Sequence, residues 1–312
     1  MGPDLDSLPE LLEDFRTELR RQNKSKSTIT TYSRDVGYFV LFLETQDPPI
    51  LPNADALTRT NIGNYIEHTL NRNNRRTGKP VTPEFADRQY RSLQQFCRYL
   101  LAEGILDTDP FAKMVRPYVP EKPIPVPPIE DLRKLLAECE GIDFEARRDT
   151  AIIRLLADIG PRIEEIAPLE VDGLDFEENS VLVIGKGRRP RQAPFGDKTR
   201  IALRRYLRIR KQHPAAQRGS TALWLGKRGP MTGSGIRQII ERRAAAAGID
   251  HLTPHRFRHF FAHNWLDNGG SEQDLMMLAG WRSREMIGRY ARATAVTRAR
   301  DAHRKARLGD RL

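Results

Sequence analysis

The chain has 312 residues, 39% of them hydrophobic and 30% charged, with a formal net charge of +11 and a pI near 9.9. That length suits two domains, and the cation excess, mostly arginine, favours an acidic partner, with nucleic acid ranked ahead of membrane. Cys97 and Cys139 lack paired spacing and there is no membrane-length apolar run or signal-peptide core, which argues against a disulfide scaffold, a cysteine-based zinc site and a membrane protein; a reducing cytoplasm is the expected home.

Leu8 to Arg21 predicts an amphipathic helix, with Leu11, Leu12, Phe15 and Leu19 on one face. After the basic break at Lys24 to Lys26, Ser27 is expected to cap a second helix with a stripe of Ile29, Tyr32, Val36, Phe39, Val40 and Leu43. Asp47-Pro48-Pro49 interrupts the chain, and a third helix starts near Thr58 and runs through Ile62, Tyr65, Ile66 and Leu70. The polar turn from Asn71 to Pro80 reads equally as a phosphate-contacting loop or a solvated tip. A fourth helix spans Thr82 to Glu103, and Gly104 stops it. Residues 1–116 thus read as a small helical bundle.

The segment PYVPEKPIPVPP, residues 117–128, is stiff, extended and poor in backbone donors, so it is read as a linker to a second unit over residues 129–312. That unit opens with a helix through Leu132, Leu135 and Leu136, then another from Arg148 to Asp158 that Gly160 ends, and Arg162 begins a new turn. A β pattern follows: Gly173 to Phe176, Ser180 to Ile184, a Gly185-Lys186-Gly187 turn, and a return strand over Gln192 to Phe195. Helices resume at Thr199 to His213 and Ser234 to Ala247. Thr253-Pro254 starts the next, Gly269-Gly270 breaks it, and Ser271 to Asp274 reads as a capping box opening one more, which Gly280-Trp281 ends; a short helical piece then carries Tyr290. The fold expected is mainly α with a small antiparallel sheet.

Arg162, Lys186, His255 and Arg258 stand at four structural junctions as potential phosphate contacts, and guanidinium forks bind phosphate oxygens bidentately. Trp281 supplies an indole donor and Tyr290 a possible covalent nucleophile. Taken singly, each is more often a surface cation or a core aromatic. Taken together, the steps are 24 positions from Arg162 to Lys186, 3 from His255 to Arg258, 23 from Arg258 to Trp281 and 9 from Trp281 to Tyr290.

This set resembles the tyrosine recombinase (phage integrase) family in its compact, Xer/Cre-like form, from about Leu8 to Tyr290. The resemblance implies an N-terminal core-binding, SAM-like helical domain and a mixed α/β catalytic domain. It implies that Tyr290 attacks a scissile phosphate, that Arg162 and Arg258 clamp the transition state, that His255 supports proton transfer from the tyrosine, and that Lys186 protonates the leaving 5′-oxygen. Trp281 would donate to the phosphate and Glu165 would buttress the site. No metal or nucleotide cofactor is implied. The expected partner is double-stranded DNA, engaged by a homo-tetramer on paired sites, with a second recombinase as a possible hetero-partner. Two departures stand out: Pro161 precedes Arg162 where leucine is common, and Trp281 takes a position more often held by histidine. The chain starts almost at the core-binding unit, so no arm-site-binding domain is expected. The basic tail after Tyr290 is open to three readings, docking on a neighbouring protomer, contact with DNA, or a disordered end.

Rival readings are weaker. His255, His259 and His263 at i, i+4 and i+8 could face a zinc ion, but no carboxylate or cysteine accompanies them. A non-catalytic DNA-binding protein gives no reason for the six-residue set. A type IB topoisomerase shares the chemistry and differs in assembly, since relaxation needs one protomer and recombination four on two sites; the N-terminal helical unit, similar to a recombinase core-binding domain, favours recombination.

Overall fold

Where the apolar spacing predicts helices, helices form, and most start at a side chain that satisfies an amide the first turn leaves open. The computed structural model describes residues 7–74, 77–120, 125–185, 187, 189–281, 283, 287–288, 300 and 303–304. The chain divides into two compact units, Met1–Lys122 and Pro123–Leu312.

In the first unit, α1 (Leu8–Arg21), α2 (Lys26–Glu44), α3 (Arg59–Asn71) and α4 (Pro83–Ala102) surround one core of Leu11, Phe15, Val36, Phe39, Ile62, Leu93 and Phe96. Thr58 and Thr82 cap α3 and α4 by accepting from the amides of Asn61 and Phe85. The cap of α2 is Ser25, not Ser27: its Oγ accepts from the Thr28 amide at 3.1 Å, which leaves Ser27 inside the first turn. Asp35 lies fully buried on α2. It accepts from the Arg88 guanidinium at 3.1 and 3.2 Å, from Gln89 Nε2 at 2.8 Å and from Ser92 Oγ at 2.8 Å, and Gln89 in turn accepts from Tyr65 at 2.8 Å. A buried carboxylate is tolerable only with such complete pairing.

In the second unit, α5 (Ile129–Ala137) leads to α6 (Phe144–Ile159), capped by Asp143, and a one-turn helix, α7 (Ile163–Ile166). The strands β1 (Leu174–Asp175), β2 (Ser180–Gly185) and β3 (Arg189–Pro194) form an antiparallel sheet in that order. The return strand therefore begins three residues earlier than Gln192, because pairing continues from Ser180↔Pro194 to Gly185↔Arg189. Next come α8 (Asp197–Arg210), short α9 (Pro214–Gln217), the small hairpin β4 (Leu225–Gly226) and β5 (Gly229–Pro230), then α10 (Gly233–Ala246), α11 (Pro254–Asp267) and α12 (Glu272–Ala279). That small hairpin has no alternating pattern long enough to predict from sequence.

Trp224, fully buried, stacks on Tyr206 at 5.6 Å and donates to the Ile166 carbonyl at 2.9 Å, so the floor under α7 is a fixed one. Beside it, buried Asp149 accepts from Arg148 at 2.8 Å and from Arg243 at 2.8 Å, tying α6 to α10. No helix among the described residues is long and apolar enough to cross a membrane.

Candidate active site

Two helix ends make the site. Residue Gly160 closes α6 in the left-handed region at φ 53°, and Gly280 closes α12 at φ 64°. Each leaves carbonyls with no partner within its own helix, at the negative end of the helix dipole. Arg258, on α11 and 1% exposed, satisfies both: it donates to the Gly160 carbonyl at 2.8 Å and to the Ala279 carbonyl at 2.6 Å. Its guanidinium carbon also lies 5.0 Å from the ring centroid of Trp281, the residue that follows Gly280. A buried cation needs this much compensation, and here two dipole ends and an aromatic face supply it.

Past Gly160 the chain turns at once into α7, and Arg162 stands at its N-cap position. Its Nη1 donates to Glu165 Oε1 at 2.7 Å, while its backbone amide donates to Oε2 at 3.1 Å. Pro161 is accommodated in this turn, since the ordered Arg162–Glu165 pair forms directly after it. Glu165 is 3% exposed. Burial pushes its carboxyl up, but the hydrogen bond from Arg191 and those from Arg162 outweigh burial, and the net value falls below the usual glutamate range. The Arg162 side chain stays 37% exposed, so its guanidinium can meet an incoming anion.

His255 sits on the first turn of α11, one turn before Arg258. Thr253 occupies the N-cap position there, but its side chain makes no capping bond; Pro254 alone marks the start. Partial desolvation first, then the charges of Arg258 and Arg162, lower the His255 value below that of an ordinary histidine, with Glu164 opposing. Neutral at pH 7, it can take up a proton. Next to it His259 lies with ring centroids 4.3 Å apart and its value lowered to about 4, by desolvation first and then by His255, Arg258 and Arg256. Among the described residues, no group of three His, Cys, Asp or Glu side chains is arranged to hold a metal ion.

Trp281 is 6% exposed and packs with Ala262, Leu266, Leu275, Ala279 and Ile287. Arg162, Glu165, His255, Arg258 and Trp281 are thus brought to the adjoining ends of α6, α7, α11 and α12. Lys186 and Tyr290 lie outside the described residues, as does most of the basic tail. The hairpin that carries Lys186 does reach this cluster: a Cβ built on Gly185 would lie 3.8 Å from Glu165 Oε1.

Arg191 was missed by sequence reasoning. From β3 its Nη2 donates to Glu165 Oε2 at 2.8 Å and its Nε to the Leu278 carbonyl at 3.0 Å. A signal existed, because Arg191 shares a strand face with Ala193, a core position, and an arginine at an inward position is rarely idle.

Guanidiniums gathered at helix ends can grip a phosphodiester. Comparison with known proteins narrows the class. Residues 128–296 match the phage integrase family, and residues 11–106 match the N-terminal SAM-like domain of phage integrases. The chain belongs to the phage integrase family, the tyrosine recombinases, in the two-domain Xer/Cre-like form. It is 31% identical over 314 residues to the tyrosine recombinase XerC of Neisseria meningitidis serogroup B, covering 98% of this chain and 99% of that one. The fold resembles XerH recombinase bound to palindromic difH substrate in a post-cleavage complex, at TM-score 0.69 and 16% identity over 96% of this chain and 84% of that chain. It also resembles lambda integrase in a tetramer bound to a Holliday junction, at TM-score 0.66 and 17% identity over 90% of this chain and 78% of that chain. Family membership carries the activity class, cleavage and rejoining of DNA.

Proposed function

We propose that this protein is a site-specific recombinase that breaks and rejoins duplex DNA through a 3′-phosphotyrosyl intermediate. Tyr290 forms the O–P bond as the bond from phosphorus to the 5′-oxygen breaks. His255, neutral at working pH, supports removal of the tyrosine proton, and Lys186 gives a proton to the departing 5′-oxygen. Charge developing on the phosphate oxygens meets Arg162 and Arg258, with Trp281 donating alongside; such preorganised charge acts most strongly where water is excluded. The phosphotyrosyl bond conserves the energy of the phosphodiester, so attack by a second 5′-hydroxyl completes strand exchange without a nucleotide cofactor.

One observation supports this reading above the others. Arg258 is buried against two helix ends, one of them the Gly160 end from which the chain turns to partly exposed Arg162, an arrangement that a surface used only for DNA binding does not require. In this reading residues 1–116 form the core-binding domain, residues 129–312 the catalytic domain, and four protomers act on two paired duplex sites. The lambda integrase tetramer on a Holliday junction supports that assembly by likeness of fold.

Nicked suicide duplexes taken from DNA flanking the gene's own locus test the proposal. The wild-type protein should leave a covalent protein–DNA band on a denaturing gel, and Tyr290→Phe should not. A band that persists in Tyr290→Phe would refute the assignment of the nucleophile. Relaxation of supercoiled plasmid by a monomer, without exchange between sites, would move the protein to the topoisomerase class.

A further inference from the structure

Resting on the recombinase reading, we propose that Arg191 is a positioning residue for the reaction, holding Arg162 and Trp281 in register through Glu165 and the end of α12. Three elements far apart in sequence meet at its guanidinium. From β3, it donates to Glu165 on α7 at 2.8 Å and to the Leu278 carbonyl of α12 at 3.0 Å. The adjacent carbonyl, Ala279, is the one Arg258 holds at 2.6 Å. Two consecutive carbonyls at the end of α12 are therefore taken by two guanidiniums arriving from different elements, immediately before Gly280 and Trp281. Arg191 fixes one side of that helix end and Arg258 the other.

Charge balance gives the second part of the argument. Glu165 is a single carboxylate shared between Arg162 on Oε1 and Arg191 on Oε2. With both guanidiniums present the trio keeps a net positive charge. Without Arg191, Glu165 would pair with Arg162 alone and neutralise the cation that is to meet the phosphate. Arg191 thus sets both the position of Arg162 and how much of its charge remains for substrate.

The backbone is fitted to this fork. A Cβ on Gly280 would lie 3.1 Å from Arg191 Nη1, and one on Gly185 would lie 3.3 Å from the same atom. Glycines on both flanks let the guanidinium sit close against the hairpin and the α12 terminus. The Arg191 side chain is only 13% exposed, which leaves it little surface for contact with DNA.

The test uses full-length Arg191→Met and Arg191→Lys. Three tryptophans give three indole N–H resonances, with Trp281→Phe identifying its own. Trp224 and Trp265 donate to the Ile166 and Ser271 carbonyls, on α7 and at the N-cap of α12, and their resonances are followed alongside. In Arg191→Met the Trp281 resonance should move furthest of the three. On the suicide duplex, covalent complex formation should slow about 100-fold, the scale of a small misplacement of catalytic groups, with DNA affinity changed by less than about threefold. Arg191→Lys, able to reach one partner but not both, should fall between. In a double mutant with Glu165→Gln the losses should not add. A stationary Trp281 resonance, or a wild-type cleavage rate in Arg191→Met, would overturn the proposal. If Arg191→Met fails to fold, Arg191→Lys decides by the same two readouts. Should the wild-type protein itself never form a covalent complex, the recombinase reading fails, and the indole shift alone then judges whether Arg191 positions Trp281.

Discussion

Arg258 donates to the Gly160 carbonyl at 2.8 Å, across 98 positions of sequence, and this bond fixes α11 to the end of α6 where the chain turns toward Arg162. The turn depends on glycine for two reasons. Its φ of 53° disfavours any Cβ, and a Cβ there would lie 2.7 Å from Phe261 Cδ1. Gly160→Ala should therefore cost about 2–4 kcal/mol, from left-handed strain plus overpacking against a ring. Urea unfolding of the full chain reads that loss directly, and cleavage should fall further than stability alone explains. Wild-type stability in Gly160→Ala would show that the turn can relax away from Phe261.

The two units should respond separately to loss of their buried carboxylates. Asp35→Ala strands the partners of a fully buried acid in the first unit, and Asp149→Ala does so in the second. Breaking such a network from one side costs about 3–5 kcal/mol. Amide hydrogen exchange should place the loss of protection mainly in residues 7–120 for Asp35→Ala and mainly in residues 125–281 for Asp149→Ala. Equal loss in both units for either variant would mean that they unfold together.

Acid should weaken the second unit through His259. Its value falls from an ordinary 6.5 to about 4 on folding, so the unfolded chain binds the proton more readily. The contribution is complete above pH 6.5 and is lost as the pH falls toward 4, by at most about 3 kcal/mol. His259→Gln should flatten this part of the stability–pH curve. An unchanged slope would assign the acid sensitivity to other groups.

Binding to duplex DNA should fall steeply with salt, because the proposed contacts are to phosphates and would displace condensed counterions. A protomer neutralising about six phosphates gives a slope near −5 in log affinity against log salt. Fluorescence anisotropy on a labelled duplex measures it. A flat response would sink the electrostatic account of binding, whatever the outcome for catalysis.

Much of the architecture is legible in the chain because its signals are local. Apolar spacing, Thr58 and Thr82 as caps, and Gly104, Gly160 and Gly280 as stops each act within a turn or two of their own position. The shift of the α2 cap from Ser27 to Ser25 is the kind of error local reading makes where two serines compete. Likewise, β3 starts at Arg189 because cross-strand pairing, and not its polar composition, decides its length.

Sequence by itself determined the helical units, the hairpin and the order and residue types of the proposed phosphate-binding set, since each depends on neighbours along the chain. Only the tertiary structure decided how these residues are held. That Arg258 would be spent on two helix ends, that Glu165 would be shared, and that Arg191 would join β3 to α7 and α12 all depend on which buried carbonyls and carboxylates lack partners after packing. Buried polar groups must be satisfied, and the donors that satisfy them come from whatever the fold brings near.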